Sequence, residues 1–278
     1  MPRFFGSSFI SASPRVFKLR LIMKTYWDIV GKDVVHSVQE LFQGCLLPNN
    51  INSNLIVLIS KVRGANSLGD YRPIALANFQ FKIITKIVAD RLGYITSRII
   101  SIEQRGFVCD RNISDCVILA SEAINSLHKN QFGGNIALKV DISKAFDTLD
   151  WNFLVLVLSN FGFATTFIDW ILAILNSARL SILVNGKAVG FFACSREVRQ
   201  GDPLSPLLFC LAEEVLSRAL SSSVVRGRLT PMSYCRGTTF PTQVLYADDI
   251  MIFCTGLKKT SGSSLVFSTN TQRFLGRL

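Results

Sequence analysis

The period of apolar and polar positions changes along this chain, and the changes separate helices from strands. From Asp33 to Gly44 the residues Val34, Val35, Val38, Leu41 and Phe42 recur at helical spacing, and Pro48-Asn49-Asn50 ends the pattern. Leu55 to Ile59 is an unbroken apolar run of strand length that leads into Lys61 and Arg63, and the polar stretch from Gly64 to Arg72 predicts a turn. Phe79 to Ile100 predicts a long helix with Ile83, Ile84, Ile87, Val88 and Leu92 as its buried stripe and Lys82, Lys86 and Arg91 on a solvated face. Ser114 to Lys129 predicts a further helix with Ser114 as its N-cap.

The second half alternates the two periods. Asn135 to Val140 is a β-rich run that ends in Asp141. Asp150 is placed to cap a helix through Asn160, with Gly162 at its end. A helix opens at Thr165 or Thr166 and runs to about Ala178. Ser181 to Val184 meets Asn185-Gly186, a strong hairpin turn, and the chain returns through Ala188 to Ala193. Ser205-Pro206 reads as N-cap and first turn of a helix to about Leu220. Near the end, Val244-Leu245 and Ile250 to Cys254 read as two short buried strands around Tyr246-Ala247-Asp248-Asp249. No segment repeats. This order of elements is compatible with an α+β fold.

Composition narrows the partners. The chain has 278 residues, 49% hydrophobic with 21 Phe, enough for a sizeable core and unlike a disordered chain. Lys and Arg outnumber Asp and Glu 30 to 19, a net +11 that suits a polyanion such as nucleic acid. The 7 Cys include no Cys-x-x-Cys pair and the 2 His are isolated, so a zinc site is not expected. The odd count and apolar surroundings favour reduced, mostly buried thiols in an intracellular protein, in nucleus or cytoplasm. No run reaches the roughly 18 apolar residues of a membrane span. The most apolar stretch, Pro206 to Leu220, carries Glu213, Glu214 and Arg218.

Two adjacent carboxylates at a hairpin tip repel one another, and a divalent cation relieves that cost. A solvated Asp-Asp turn is the plainer reading of Asp248-Asp249. Asp141 changes the balance, because it ends a second strand. Polymerase-type phosphoryl transfer needs carboxylates from separate strands around two metal ions about 3.5–4 Å apart. Spacing along the chain does not itself bring them together.

Five segments, in order, resemble one family. Asp70-Tyr71-Arg72-Pro73-Ile74 and Gln104-Arg105-Gly106-Phe107-Val108 resemble the fingers motifs of reverse transcriptases. Asp141-Ile142-Ser143-Lys144-Ala145-Phe146-Asp147 resembles their first catalytic motif, Arg199 to Pro206 their template- and primer-contacting motif, and Tyr246-Ala247-Asp248-Asp249 their second catalytic motif. The resemblance is strongest to non-LTR (LINE-type) retrotransposons, plant elements especially, and covers about residues 26 to 257.

That resemblance implies a right-hand polymerase fold. Residues 26–133 would be fingers and 134–256 palm, the palm an antiparallel sheet with helices on one face. Residues 1–25 would be a divergent or disordered segment, and 257–278 a truncated, disordered tail in place of a thumb. The first 27 residues, without an acid before Asp28, have the composition of an organellar transit peptide, although a scrambled start to the reading frame fits better. The resemblance further implies two Mg2+ ions, replaceable by Mn2+, on Asp141 and Asp248, with Asp249 in support and the Ile142 carbonyl as an extra ligand. It places Lys61 and Arg72 on the triphosphate and Phe146 against the deoxyribose, where a ring excludes a 2′-hydroxyl. Gln200 and Gly201 would meet template and nucleotide, and Tyr246 the primer end. The partners implied are an RNA template, a DNA primer and deoxynucleoside triphosphates, with weak or absent polymerase activity expected of the isolated chain. The alternatives are a non-catalytic RNA-binding remnant, such as a maturase-like splicing factor, and a nucleotide cyclase, whose Gly-rich acidic turn is not evident.

Overall fold

The computed structural model describes residues 25–44, 47, 51–128, 134–142, 145–235 and 238–256. The proposed tail at 257–278, nearly all of the proposed N-terminal segment, and Ser143 and Lys144 of the first acidic motif lie outside them.

Helix α1 (Trp27–Phe42) begins earlier than the Asp33 predicted and buries Val34 and Leu41. Strand β1 (Ser53–Ser60) turns through a short 3-10 segment, Leu68–Asp70, into β2 (Tyr71–Ala77). Helix α2 (Phe79–Ile99) follows, but its buried stripe is rotated from the predicted one. Ile84, Val88 and Leu92 are buried, whereas Ile83 and Ile87 are half-buried and Thr85 and Ala89 face inward. Thr85 is turned in because its hydroxyl serves the buried Asp202 carboxylate.

Helix α3 (Ile113–Asn125) has Asn112 at its N-cap position, without a side-chain capping bond, rather than the predicted Ser114, which lies inside the first turn, and it stops short of Lys129. Strand β3 (Asn135–Asp141) leads to helix α4 (Trp151–Asn160), where Phe153 N–H donates to Asp150 Oδ1 at 2.8 Å and Gly162 closes the end at φ +81°. Helix α5 (Thr165–Asn176) precedes strands β4 (Arg179–Val184) and β5 (Lys187–Ala193), which turn through Asn185 and Gly186 at φ +49° and +79°. Helix α6 (Ser205–Val225) carries Ser205 within its first turn. Its N-cap position is Leu204, without a side-chain capping bond, and Asp202 Oδ1 accepts from Leu204 N–H at 3.0 Å in the turn ahead of it. Strands β6 (Ser233–Cys235) and β7 (Thr238–Thr239) form a small ribbon before β8 (Gln243–Tyr246) and β9 (Asp249–Thr255).

Two larger sheets result. One runs β2-β1-β4-β5 and is mixed, because β4 lies parallel to β1. Strands from both halves of the sequence therefore share it. The other runs β3-β9-β8 and is antiparallel throughout, the expected form for the acid-bearing sheet.

Alternation along β8 and β9 splits the second sheet between two cores. Leu245, Ile250 and Ile252 pack into the main core with α2, α4, α5 and α6. Val244 and Phe253 face the other way, onto Cys116 and Ala123 of α3 together with Met232 and Phe240. Helices thus cover both faces of this sheet, not one as expected. The reason is visible in the strands, which are apolar on consecutive positions rather than alternate ones. Among the described residues no helix is long and apolar enough to cross a membrane.

Candidate active site

The register of the antiparallel sheet brings the two acidic stretches together. Residue by residue, β3 pairs with β9 from Asn135↔Thr255 to Asp141↔Asp249. On the other side of β9, Tyr246 pairs with Asp249, so Ala247 and Asp248 form a two-residue turn at the same sheet end. Asp141 therefore stands beside the acidic turn despite its distance along the chain. Its backbone partner is Asp249 rather than Asp248.

Among the described residues, charge at this end is only partly compensated. Lys139 Nζ lies 3.3 Å from Asp249 Oδ1, an exposed pair of small energetic worth. Asp141 is exposed and Asp248 half-buried. Among the described residues, no three His, Cys, Asp or Glu side chains converge tightly enough to hold a metal ion. The donors are nevertheless of the right chemistry, hard carboxylate oxygens beside one another, and Lys139 already occupies a position where a cation relieves Asp249. Ile142, whose carbonyl was the expected extra ligand, buries its side chain in the main core.

The turn is buttressed from beneath by residues whose part the motif reading did not assign. The backbone of Gln104 runs parallel to Leu245. Leu245 N–H donates to Glu103 O at 3.0 Å, and Arg105 N–H donates to Leu245 O at 2.9 Å. Gln104 Oε1 accepts from Gly106 N–H at 2.7 Å and from Ala247 N–H at 3.2 Å. Its Nε2 donates to Glu213 Oε2 of α6. Gly106 lies so close that a Cβ there would sit 2.5 Å from the Ala247 nitrogen. Burial drives the Glu213 carboxyl well above the usual Glu range; the Gln104 bond opposes this and the Asp248 charge adds to it. The sequence signal for this support was two acids, Glu213-Glu214, inside an otherwise apolar helix.

The remaining predicted residues differ in burial and in what they touch. Phe146 is half-buried, its ring centroid 5.1 Å from that of Phe209 on α6. Val198 N–H donates to Phe146 O at 2.8 Å, which ties the segment before α6 to the first acidic motif. Gln200 is half-buried and Gly201 exposed at φ +98°. Their neighbour Arg199 is interior: its guanidinium lies 4.6 Å from the Phe81 ring centroid, donates to Asn52 Oδ1, and stands 3.8 Å from Asp202. Tyr246 is half-buried beside the α3 core. Lys61 and Arg72 are exposed at the far end of the β1–β2 hairpin, where Lys61 Nζ donates to Gly69 O at 2.9 Å.

Comparison with known proteins gives one family. Residues 59–274 match the family described as "Reverse transcriptase (RNA-dependent DNA polymerase)". The transposon TX1 uncharacterized 149 kDa protein of Xenopus laevis is 28% identical over 228 residues, 82% of this chain and 17% of that protein. The retrovirus-related Pol polyprotein from type-2 retrotransposable element R2DM of Drosophila melanogaster is 29% identical over 207 residues, 74% of this chain and 18% of that protein. The chain thus spans less than a fifth of either relative's length. Among solved structures, apo telomerase from Candida tropicalis matches in fold with a TM-score of 0.53 at 12% identity, over 87% of this chain and 52% of that one.

Proposed function

Since the chain belongs to the reverse transcriptase (RNA-dependent DNA polymerase) family, we propose that it is the fingers and palm of a non-LTR retrotransposon polymerase. In this reading it extends a DNA primer along an RNA template with deoxynucleoside triphosphates. The observation that carries the reading is the pairing of Asp141 with Asp249 next to Asp248, three carboxylates from two distant stretches at one sheet end.

Asp141 and Asp248 would hold Mg2+ or Mn2+, with Asp249 and the Ile142 carbonyl beside them. The metal pair, when bound, supplies charge neutralisation at the attacking and leaving oxygens. The remaining work is positioning. Arg72 offers a planar fork to triphosphate oxygens and Lys61 a compact positive charge. Phe146, seated against Phe209, presents a ring to the sugar and leaves no space for a 2′-hydroxyl. Gly201 lets a template nucleotide approach the backbone, Gln200 bonds its base or sugar edges, and Tyr246 supports the primer end. A net charge of +11 favours a polyanionic duplex.

Primer extension on poly(rA)/oligo(dT) by the purified 278-residue chain tests this. Slow, Mg2+-dependent extension that disappears in Asp248→Asn is expected, with more ribonucleotide incorporation in Phe146→Val. Salt-sensitive RNA binding without extension in the wild type would overturn the catalytic reading in favour of a binding remnant.

A further inference from the structure

We infer that Gln104, anchored by Glu213, is the positioning residue for the catalytic turn, fixing the backbone from which Asp248 projects. The inference rests on the polymerase reading of that turn and deepens it. Ala247 holds φ at +54°, a conformation that a residue with a Cβ keeps only where its surroundings impose it. Its N–H is met by Gln104 Oε1, which also receives Gly106 N–H, while Gln104 Nε2 is committed to Glu213. One side chain with an acceptor at one end and donors at the other satisfies all three groups. An aliphatic side chain there would leave three polar groups without partners.

The anchor is itself held firmly. Glu214, the next residue on α6, accepts from Ser101 N–H at 2.9 Å, from Ser101 Oγ at 2.7 Å and from Arg218 Nε at 2.9 Å. Arg111 donates to the carbonyls of Ile100 at 2.9 Å, of Ser101 at 2.5 Å and of Gln104 at 2.6 Å. Residues 101–106 are therefore clamped between α6 and the Arg111 guanidinium. Gln104 transmits that clamp to the Tyr246–Ala247 peptide, one residue before Asp248. Glu213 Oε1 has no partner among the described residues, so the buried carboxyl spends its one bond on this bridge.

Three measurements on the full chain test the inference: amide exchange of the Ala247 region without metal, Mn2+ affinity by water-proton relaxation, and kcat and KM for dTTP. Gln104→Met and Glu213→Leu are expected to speed exchange at the turn, to weaken Mn2+ binding by about 10- to 100-fold, and to lower kcat with KM little changed. Gln104→Asn, polar but too short to span, should behave the same way and guards against a folding failure in the Met variant. Glu213→Gln keeps an acceptor for Gln104 Nε2 and should restore all three values. Wild-type exchange, Mn2+ affinity and kcat in Gln104→Met and Gln104→Asn would overturn the inference. An inactive wild type would sink the polymerase reading alone, because exchange and Mn2+ binding still decide the bridge.

Discussion

The β1–β2 and β8–β9 connections are both tips of antiparallel strand pairs that carry charge, but they are held in opposite ways. The first closes on itself. Lys61 N–H donates to Asp70 O at 2.7 Å, and the Asp70 carboxylate accepts from Asn66 N–H, Ser67 N–H and Ser67 Oγ at 3.2, 3.0 and 2.9 Å. Every partner lies within ten residues and faces water. The second takes its support from Gln104, 143 residues away in sequence, and from a glycine pressed against its backbone. A tip built from local bonds can yield when a ligand arrives, whereas one fixed by the core cannot. The proposed division of work follows this difference, with triphosphate capture at the yielding tip and catalytic carboxylates at the fixed one.

The strongest way to break the contrast is to cut the joint between the two regions. Arg199 links Asn52, just before β1, to Asp202, just before α6, and Asp202 is fully interior. Arg199→Met removes the cation that bears most strongly on that carboxylate, leaving Lys82, and is expected to cost about 3–5 kcal/mol, read as a lower urea midpoint. Next in size is Gly106→Ala. Its Cβ meets backbone rather than a side chain that can swing aside, so a loss of about 1–3 kcal/mol is expected. At the other tip, a Cβ at Gly69 meets only Ser67 Oγ at 3.6 Å, and Gly69→Ala should stay within about 0.5 kcal/mol. Equal costs at the two glycines would erase the distinction drawn here.

The smallest effect concerns pH. Hydrogen bonds from Ser67, backbone first, hold the Asp70 carboxyl below its ordinary 3.8, with Asn66 adding to them. A depressed folded pKa stabilises above the unfolded value, and the gain fades as pH falls through the folded one. Faster amide exchange at residues 66–70 is therefore expected in Asp70→Asn at pH 7, with the two proteins converging below pH 3.8. A difference that did not shrink as the pH falls below 3.8 would assign the effect to something other than the charge. Because its partners are all in one exposed, local turn, global stability should scarcely move.

What could be read in advance depended on how local the determining physics was. The Asp150 cap and Gly162 stop, the Asn185-Gly186 hairpin and the strands flanking the acidic turn each follow from a few neighbouring residues, and each is found where the pattern placed it. Ser114 and Ser205 were misread because an N-cap is a backbone conformation, and a hydroxyl one residue inside the helix satisfies the same sequence rule. The Gln104 motif was visible as a string, but nothing in the string says which backbone amide its side chain will meet.

The sequence by itself determined the order of helices and strands, the family and the presence of acids at two strand ends, since period, turn chemistry and motif are properties of short stretches. Only the tertiary structure decided that Asp141 lies across from Asp249, that β4 joins β1, that Arg199 is interior and that Gln104 reaches Ala247. The physical reason is that a strand's alternation tells which way its side chains face and not which strand it will pair with. Register and partner are chosen by the packing of the whole core.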